Sequence, residues 1–449
     1  MKVTRSFICA IALLFAITAH AQQRLEPLAE KELPSLVALY KKLHAAPELS
    51  HYEKETAAMI ARELRAAGFE VTENVGKFDD PSLTSYGLVG VLRNGEGPTV
   101  LIRADMDGLP VTEATGLPYA SKVRGKNPQG QDVGVMHACG HDIHMTSFIG
   151  TARLLAATKS QWRGTVLMIG QPAEESVTGA KAMLADGLYT RFPRPDFAIA
   201  LHDSTDLPAG TVGYATGFAL SSATSVDIVV RGIGAHGSRP EAGKDPIVLA
   251  SQIVVALQTI VSREVPPLDP AVVTVGSFHG GTRHNIIPDE ARLQLTIRAY
   301  KEEVRRQILA AIERIAVNTA RAAGIPDNLL PTVTVTPIYA PATYNDPALA
   351  ARLVPVWKRI LGDDRVVETS PVMGAEDFGR FAGPADKPEI PSLMFWIGGA
   401  DPAKIRESKE KGTPLPSLHS ALWAPVPEPT IRGGVLAMTA AALDLLGKP

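Results

Sequence analysis

Val100-Leu101-Ile102-Arg103-Ala104-Asp105-Met106-Asp107 is an apolar run that breaks off on two carboxylates. Such a run reads as a buried strand that delivers polar groups at its carboxyl end. The same punctuation returns twice. Residues 166–169 run into Gln171-Pro172-Ala173-Glu174-Glu175, and residues 197–201 run into His202. A further β-rich run spans 88–92, and a helical stretch at 142–157 separates the second strand from the third. The alternation predicts an α/β domain with a largely parallel sheet covered by helices. In open parallel sheets, sites gather outside the carboxyl ends of the strands. Three acid or imidazole clusters at three strand ends are therefore expected to converge on one crevice.

Upstream, residues 26–67 carry helical periodicity. Leu36, Leu39, Tyr40 and Leu43 form one face, Thr56, Ile60, Leu64 and Ala67 another, and Gly68 closes the second helix. Downstream the texture changes. Residues 225–230 read as a strand, 246–264 as a helix, 272–278 and 291–299 as strands, 302–323 as a helix, and 333–337 as a last strand. That order, β-α-β-β-α-β, is the split βαβ pattern of a small α+β sandwich. The α/β texture then resumes with a helix at 347–361, a strand at 393–398 and a helix at 430–446. The expected organisation is a leader at 1–21, a first catalytic segment at 22–216, an inserted domain at 217–331 and a second catalytic segment at 332–449.

Apolar residues make up 45% of the 449 and charged residues 20%, an ordinary globular balance with ample material for a core. The formal net charge of −2 supplies no basic field for nucleic acid or anionic lipid. Lys2 and Arg5, the apolar run from Phe7 to Ala19, and Ala19-His20-Ala21 together predict a cleaved export signal. The mature chain is then expected in a periplasm or outside the cell, without a membrane anchor. Cleavage would remove Cys9 and leave Cys139 alone, so no internal disulfide can form. A lone thiol in an oxidising compartment needs a reason to persist, and metal ligation is one.

Cys139 lies in Met136-His137-Ala138-Cys139-Gly140-His141-Asp142-Ile143-His144, two residues from His141. Thiolate, imidazole and carboxylate together suit zinc, manganese or cobalt. Glu174, Glu175, His202 and His419 are further candidates. A divalent ion acidifies water and polarises a carbonyl. A carboxylate not bound to metal can act as general base, so the adjacent glutamates can divide those two tasks. A surplus of ligands favours two ions. Taken singly, each feature has an ordinary reading. Free cysteine is commonly a small buried hydrophobe, paired glutamates usually form a solvated face, and a histidine ending a strand is more often structural. His144 can be a ligand, a packed histidine or, the favoured reading, a hydrogen-bonding partner behind the ligands.

One decoy is cleared by its context. Gly232-Ile233-Gly234-Ala235-His236-Gly237 matches a dinucleotide fingerprint, but Ser238-Arg239-Pro240 follows where a helix would have to open. Flexible glycines presenting His236 at a loop tip is the better reading. No G-x-S-x-G nucleophile elbow is present.

Several motifs in order now carry a resemblance. They are Leu43-His44-Ala45-Ala46-Pro47-Glu48-Leu49-Ser50, Arg103–Pro110, Met136–His141, Gln171–Glu175, Asn285-Ile286-Ile287-Pro288-Asp289 and Gly374-Ala375-Glu376-Asp377-Phe378. From about Leu36 to the C-terminus the chain resembles the M20 metallopeptidases, specifically the amidohydrolase subfamily of hippurate hydrolases, N-acyl-amino-acid amidohydrolases and auxin-conjugate hydrolases. The resemblance implies a metallopeptidase-type catalytic domain with an inserted dimerisation or lid domain, and a homodimer. It implies two divalent ions (Zn, Mn or Co) held by Cys139, His141, Glu175, His202 and His419, with Glu174 as general base. Asp107 matches a family acid that bridges metals in other branches; here the cysteine takes over that contact and Asp107 stands behind the ligands. Asp105 stands where those branches carry a ligand histidine and is not expected to bind metal. By the same similarity His236 steadies the oxyanion, reaching a partner subunit's active site, while Asn285 and Arg298 hold the substrate's carboxylate or carbonyl. The ordinary alternative for Arg298 is a surface salt bridge. The chain departs from the family after His419, in Ser420-Ala421-Leu422-Trp423, which bears on substrate preference more than on catalysis.

The expected activity is hydrolysis of the amide of an N-acyl amino acid or short peptide by metal-activated water. A dipeptidase or carboxypeptidase would use the same machinery. A non-catalytic metal- or ligand-binding protein is the alternative from another class, and the spare carboxylate argues against it.

Overall fold

A computed structural model of the protein describes residues 25–127 and 129–448; the expected leader, its cleavage point and Cys9 lie outside them. The chain divides into two compact units. Among the described residues the first comprises 25–217, Asn345–Ser370 and 389–448, and the second comprises Phe218–Tyr344 and Pro371–Pro388.

Along the chain the first unit begins with α1 (Leu25–Ala45) and α2 (Lys54–Ala66), then β1 (Glu70–Thr72), β2 (Leu88–Asn94) and β3 (Thr99–Asp105). It continues with α3 (His141–Ala157), β4 (Gly164–Gln171), β5 (Phe197–Pro208) and β6 (Val212–Tyr214). The second unit supplies β7 (Ser222–Arg231), α4 (Pro246–Thr259), β8 (Ala271–Gly280), β9 (Glu290–Ala299), α5 (Glu302–Ala322) and β10 (Thr332–Ala340). The first unit resumes with α6 (Pro347–Leu361), β11 (Val366–Glu368), β12 (Ser392–Ala400), α7 (Pro402–Lys411) and α8 (Pro427–Leu445).

The sheet of the first unit has eight strands in the order β1-β2-β4-β3-β5-β12-β6-β11. Its four central strands are parallel, β4 to β3, β3 to β5 and β5 to β12. The flanks turn antiparallel at β2 against β4 and at β6 against β12. The parallel centre is covered by helices, which is why its strands read as unbroken apolar runs; β12 is buried along all nine residues. α3 is apolar almost all round and lies in the core beside α1 and α8. Two glycines permit that close packing. A Cβ on Gly150 would meet Val435 Cγ2 at 2.4 Å, and one on Gly434 would meet Ser147 Oγ at 2.5 Å. The helix that opens on His141 is thereby fixed against α8. One expectation needs adjusting: β5 does not end at His202 but runs on to Pro208, because β12 continues to pair with it as far as Ala400.

The second unit carries an antiparallel sheet in the order β8-β9-β7-β10. Alternate residues of β7 and β9, among them Val226, Ile228, Leu293, Leu295 and Ile297, share one core with Leu249 and Ile253 of α4 and Ile308 and Ile312 of α5. The period of two in the strands and of 3.6 in the helices gives the β-α-β-β-α-β order. Because β10 pairs with β7, the unit extends past the boundary placed at 331 and takes in that strand.

Candidate metal centre

Gly140 sits between Cys139 and His141 in the left-handed region, φ +76°, where a Cβ would lie 2.3 Å from the Asp203 carboxylate. Only glycine fits there, and it lets the chain turn from the buried thiol into the first residue of α3. Cys139 and His141 then face the carboxyl ends of β4 and β5. Cys139 Sγ is 3.6 Å from His202 Nε2 and 3.3 Å from His419 Nε2. Glu175 Oε1 is 3.6 Å from His419 Nε2 and 3.8 Å from His141 Nε2. Glu174 Oε2 is also 3.8 Å from His141 Nε2. The five expected ligands and Glu174 are thus brought together within the first unit.

The imidazoles are oriented from behind. His141 Nδ1 donates to the carbonyl of Asp107 at 2.8 Å, and His202 Nδ1 to the carbonyl of Asp203 at 2.8 Å. Each bond fixes the tautomer that turns a bare Nε2 toward the cluster. His141 Nε2 and Glu175 Oε1 are buried without any hydrogen-bond partner among the described residues. A buried polar atom left unpaired is costly. A tetrahedral ion with ordinary zinc bond lengths holds its nitrogen, sulfur and oxygen ligands roughly 3.3–3.6 Å apart. The observed spacings are close to that, so the donor set and its orphaned atoms fit a divalent cation.

The charges point the same way. Burial, then the neighbouring Glu175 and Glu174 carboxylates, push the Cys139 thiol well above its usual range. Burial raises Glu175 to about 7, with His141 pulling the other way. A cation reverses both trends by favouring the ionised ligands.

Other acids near the cluster are already engaged. Asp105 takes Arg103 Nη1 at 2.6 Å and His144 Nδ1 at 2.6 Å. His144 Nε2 in turn accepts the amide N–H of Asp203 at 2.8 Å, so neither ring nitrogen is left for metal. His144 is a partner behind the ligands, and Asp105 orients it. Asp107 accepts the Ser50 hydroxyl at 2.6 Å and the backbone N–H groups of Glu174 at 3.1 Å and Glu175 at 3.0 Å. Its carboxylate organises the glutamate pair.

Sequence reasoning missed several supports. Asp203 accepts Trp423 Nε1 at 3.0 Å and is lowered to about 2: burial opposes this, and the adjacent His144 and His202 imidazoles outweigh it. Its position directly after His202 was the available signal. His44 lies between Asp142 (2.7 Å) and Glu113 (3.1 Å), all three buried. Glu53 is buried and accepts the amide N–H of Ala173 at 2.7 Å. A cavity of about 270 Å³ opens beside the segment after His419, with Leu117, Tyr119, Leu422 and Trp423 among its walls.

His236, Asn285 and Arg298 all belong to the second unit. His236 Nδ1 accepts the amide N–H of Ser238 at 3.1 Å, which leaves the proton on Nε2. The carbonyl of Asn285 accepts the N–H of Gly237 at 2.8 Å, so His236 and Asn285 sit on adjoining segments. No helix opens at Gly237; the chain instead forms a two-residue ladder, Ala235–His236 against Ile286–Ile287. Arg298, on β9, is half-buried and makes no salt bridge among the described residues, so the surface ion pair weighed for it is not seen.

The sequence pattern described as Peptidase family M20/M25/M40 matches residues 101–418. The chain is 35% identical to thermostable carboxypeptidase 2 of Saccharolobus solfataricus, over 92% of this chain and 96% of that one. It is 38% identical to the hippurate hydrolase of Campylobacter jejuni, over 76% of this chain and 82% of that one. Among solved structures it resembles a dinuclear metal binding peptidase of the M20 family from Bacillus subtilis. The TM-score is 0.73 and the identity 29%, over 93% of this chain and 99% of that one.

Proposed function

This chain belongs to peptidase family M20/M25/M40 and is a metal-dependent hydrolase of amide C–N bonds, from which we propose that it removes the acyl group from N-acyl amino acids. The observation that carries the reading is the cluster of Cys139, His141, Glu175, His202 and His419, in which His141 Nε2 and Glu175 Oε1 are buried without hydrogen-bond partners among the described residues. We assign these five residues to two divalent ions. The dinuclear Bacillus subtilis relative supports that number.

A divalent ion, when bound, acidifies water and polarises the target carbonyl. Glu174, with its amide fixed by Asp107, takes the proton of the attacking water and hands it to the leaving nitrogen. His236, its proton held on Nε2 by the Ser238 contact, is proposed to reach a partner subunit's active site and donate to the developing oxyanion there. Arg298 grips the substrate carboxylate with two parallel N–H donors, and Asn285 assists. Low exposure of Cys139 and His141 keeps bulk water away from the reacting groups.

Dimerisation through the second unit is part of the proposal. Val248 is 54% and Val255 71% exposed on or beside α4, and Leu268 is 93% exposed just before the edge strand β8. Apolar surface of that kind favours a partner. Export is proposed from the N-terminal signal pattern alone.

A second reading has its own support. The Saccharolobus relative is a carboxypeptidase matched over 92% of this chain, and the same centre would cleave a peptide bond next to a free carboxylate. Turnover of acetyl- and benzoyl-amino acids beside di- and tripeptides separates the two. The purified protein is assayed as isolated, after chelation, and after adding zinc, manganese or cobalt. Activity on acyl amino acids that vanishes on chelation and returns with metal is the expected outcome. Turnover of peptides alone would favour the carboxypeptidase, and none with any metal in folded protein would overturn the hydrolase.

A further inference from the structure

We propose that Glu53 is a positioning residue for the hydrolytic reaction, holding the backbone at Ala173 in the conformation that presents Glu174. The inference rests on the reading of Glu174 as general base.

Ala173 has φ +51°, in the left-handed region that residues with a Cβ rarely occupy. Such a residue stays there only when its surroundings hold it, and these positions cluster where strain serves function. Ala173 is held at both ends. Its carbonyl accepts the N–H of Thr178 at 3.2 Å and of Gly179 at 3.1 Å. Its N–H goes to Glu53 Oε1 at 2.7 Å, a residue 120 positions away in the chain. The same oxygen accepts the N–H of His51 at 3.0 Å, and His51 is itself left-handed at φ +71°.

The contact extends a pattern. The next two amides, Glu174 N–H and Glu175 N–H, go to the two oxygens of Asp107. Three consecutive amides, 173 to 175, are therefore each received by a buried carboxylate. Asp107 fixes the glutamates themselves, and Glu53 fixes the turn that leads into them. Glu53 is 0% exposed, and its second oxygen has no partner among the described residues. A buried carboxyl is a costly way to cap two amides if only the local fold is at stake. One buried oxygen that accepts two amides, each beside a left-handed residue, suits a strained backbone.

The test uses the metal-loaded protein and reads kcat, KM, metal per chain and melting temperature for Glu53→Gln, Glu53→Asp and Glu53→Met. Gln keeps an acceptor at the same reach and is expected within about threefold of wild type in kcat. Met keeps the volume without the acceptor. Its kcat is expected to fall about 100-fold, the cost of misplacing a catalytic group by about 1 Å, with KM and metal content nearly unchanged. Asp withdraws the acceptor by one methylene and is expected between the two; it keeps the question open to measurement if Met does not fold. Hydrogen exchange of the segment 172–178 should speed up in Met and stay slow in Gln. Unchanged kcat in folded, metal-loaded Met or Asp variants would overturn the proposal. So would a Gln variant as impaired as Met. A wild-type protein with no turnover would instead overturn the functional reading, while hydrogen exchange still reports the contact.

Discussion

The candidate metal cluster of the first unit and the candidate substrate residues of the second are built in opposite ways. His141 is 0%, Cys139 6%, Glu174 6% and His202 8% exposed, and both of these histidines are oriented by a hydrogen bond behind them. His236 and Asn285 are exposed, and Arg298 is half-buried without a salt bridge among the described residues. Apart from His419, whose side chain is 55% exposed, the cluster is buried and must be in place before any substrate arrives, because charges in a low-dielectric site reorganise poorly and are useful only when preset. The second set faces the opposite demand. A group that recognises a substrate has to be without a protein partner until the substrate supplies one. Pre-organised chemistry in one unit and solvent-accessible recognition groups in the other predict different consequences for mutation.

The largest effect is expected at Glu174. Glu174→Gln keeps the shape and the amide contact to Asp107 but cannot take a proton. The expectation is a fall in kcat of about 10³-fold with metal content unchanged. Nearly intact turnover would break the contrast at its centre, since the cluster would then hold metal without supplying the base.

Asp107→Asn comes next. The amide that replaces one carboxylate oxygen would point a donor at the N–H of Glu174 or Glu175, so one backbone contact is lost. A drop of about 100-fold in kcat is expected, with binding of both ions retained. Loss of an ion instead would show that Asp107 touches metal and not just the backbone behind it.

Arg298 tests the second unit. Arg298→Ala removes a charge-assisted contact worth about 1.5–3 kcal/mol, so KM should rise roughly 10- to 100-fold with kcat little changed. Arg298→Lys should recover part of this, because a point charge replaces a fork. If kcat fell and KM did not, Arg298 would belong with the chemistry, and the division of labour between the units would be wrong.

The sequence was most legible where physics leaves a long-range pattern. The central strands are buried on both faces and read as apolar runs, and the inserted domain alternates two periods that its core confirms. The three-residue strands β1, β6 and β11 are too short to show alternation. α7 has no buried residue and so no apolar stripe to read. The expected ligands were legible as residue types, Cys139 and His141 in one short motif and Glu175 just past the end of β4. Their supports were not. Glu53, Glu113, Asp142 and Asp203 are acids, which a sequence reader places on the surface, and their partners lie tens to hundreds of residues away. Residues that bind metal advertise themselves by chemistry, whereas residues that aim them do so only by position.

The smallest expected effect concerns one of those supports and again separates the units. Burial alone would lower the pKa of His44, but the hydrogen bonds and charges of Asp142 and Glu113 outweigh it and raise it to about 9. A group whose folded pKa lies above its unfolded value of about 6.5 stabilises the fold fully below that value, and the gain is lost as pH rises through about 9. Between pH 7 and pH 9.5 the first unit should therefore lose about 2 kcal/mol from this group. Denaturant unfolding of wild type and His44→Gln at both pH values isolates it, because the titration of Cys139 is common to the two. Wild type should lose that much more than the variant does. The second unit, with its salt bridges at the surface, should contribute no matching slope. An equal pH dependence in His44→Gln would mean that the Asp142–His44–Glu113 array is held by packing and not by its charge.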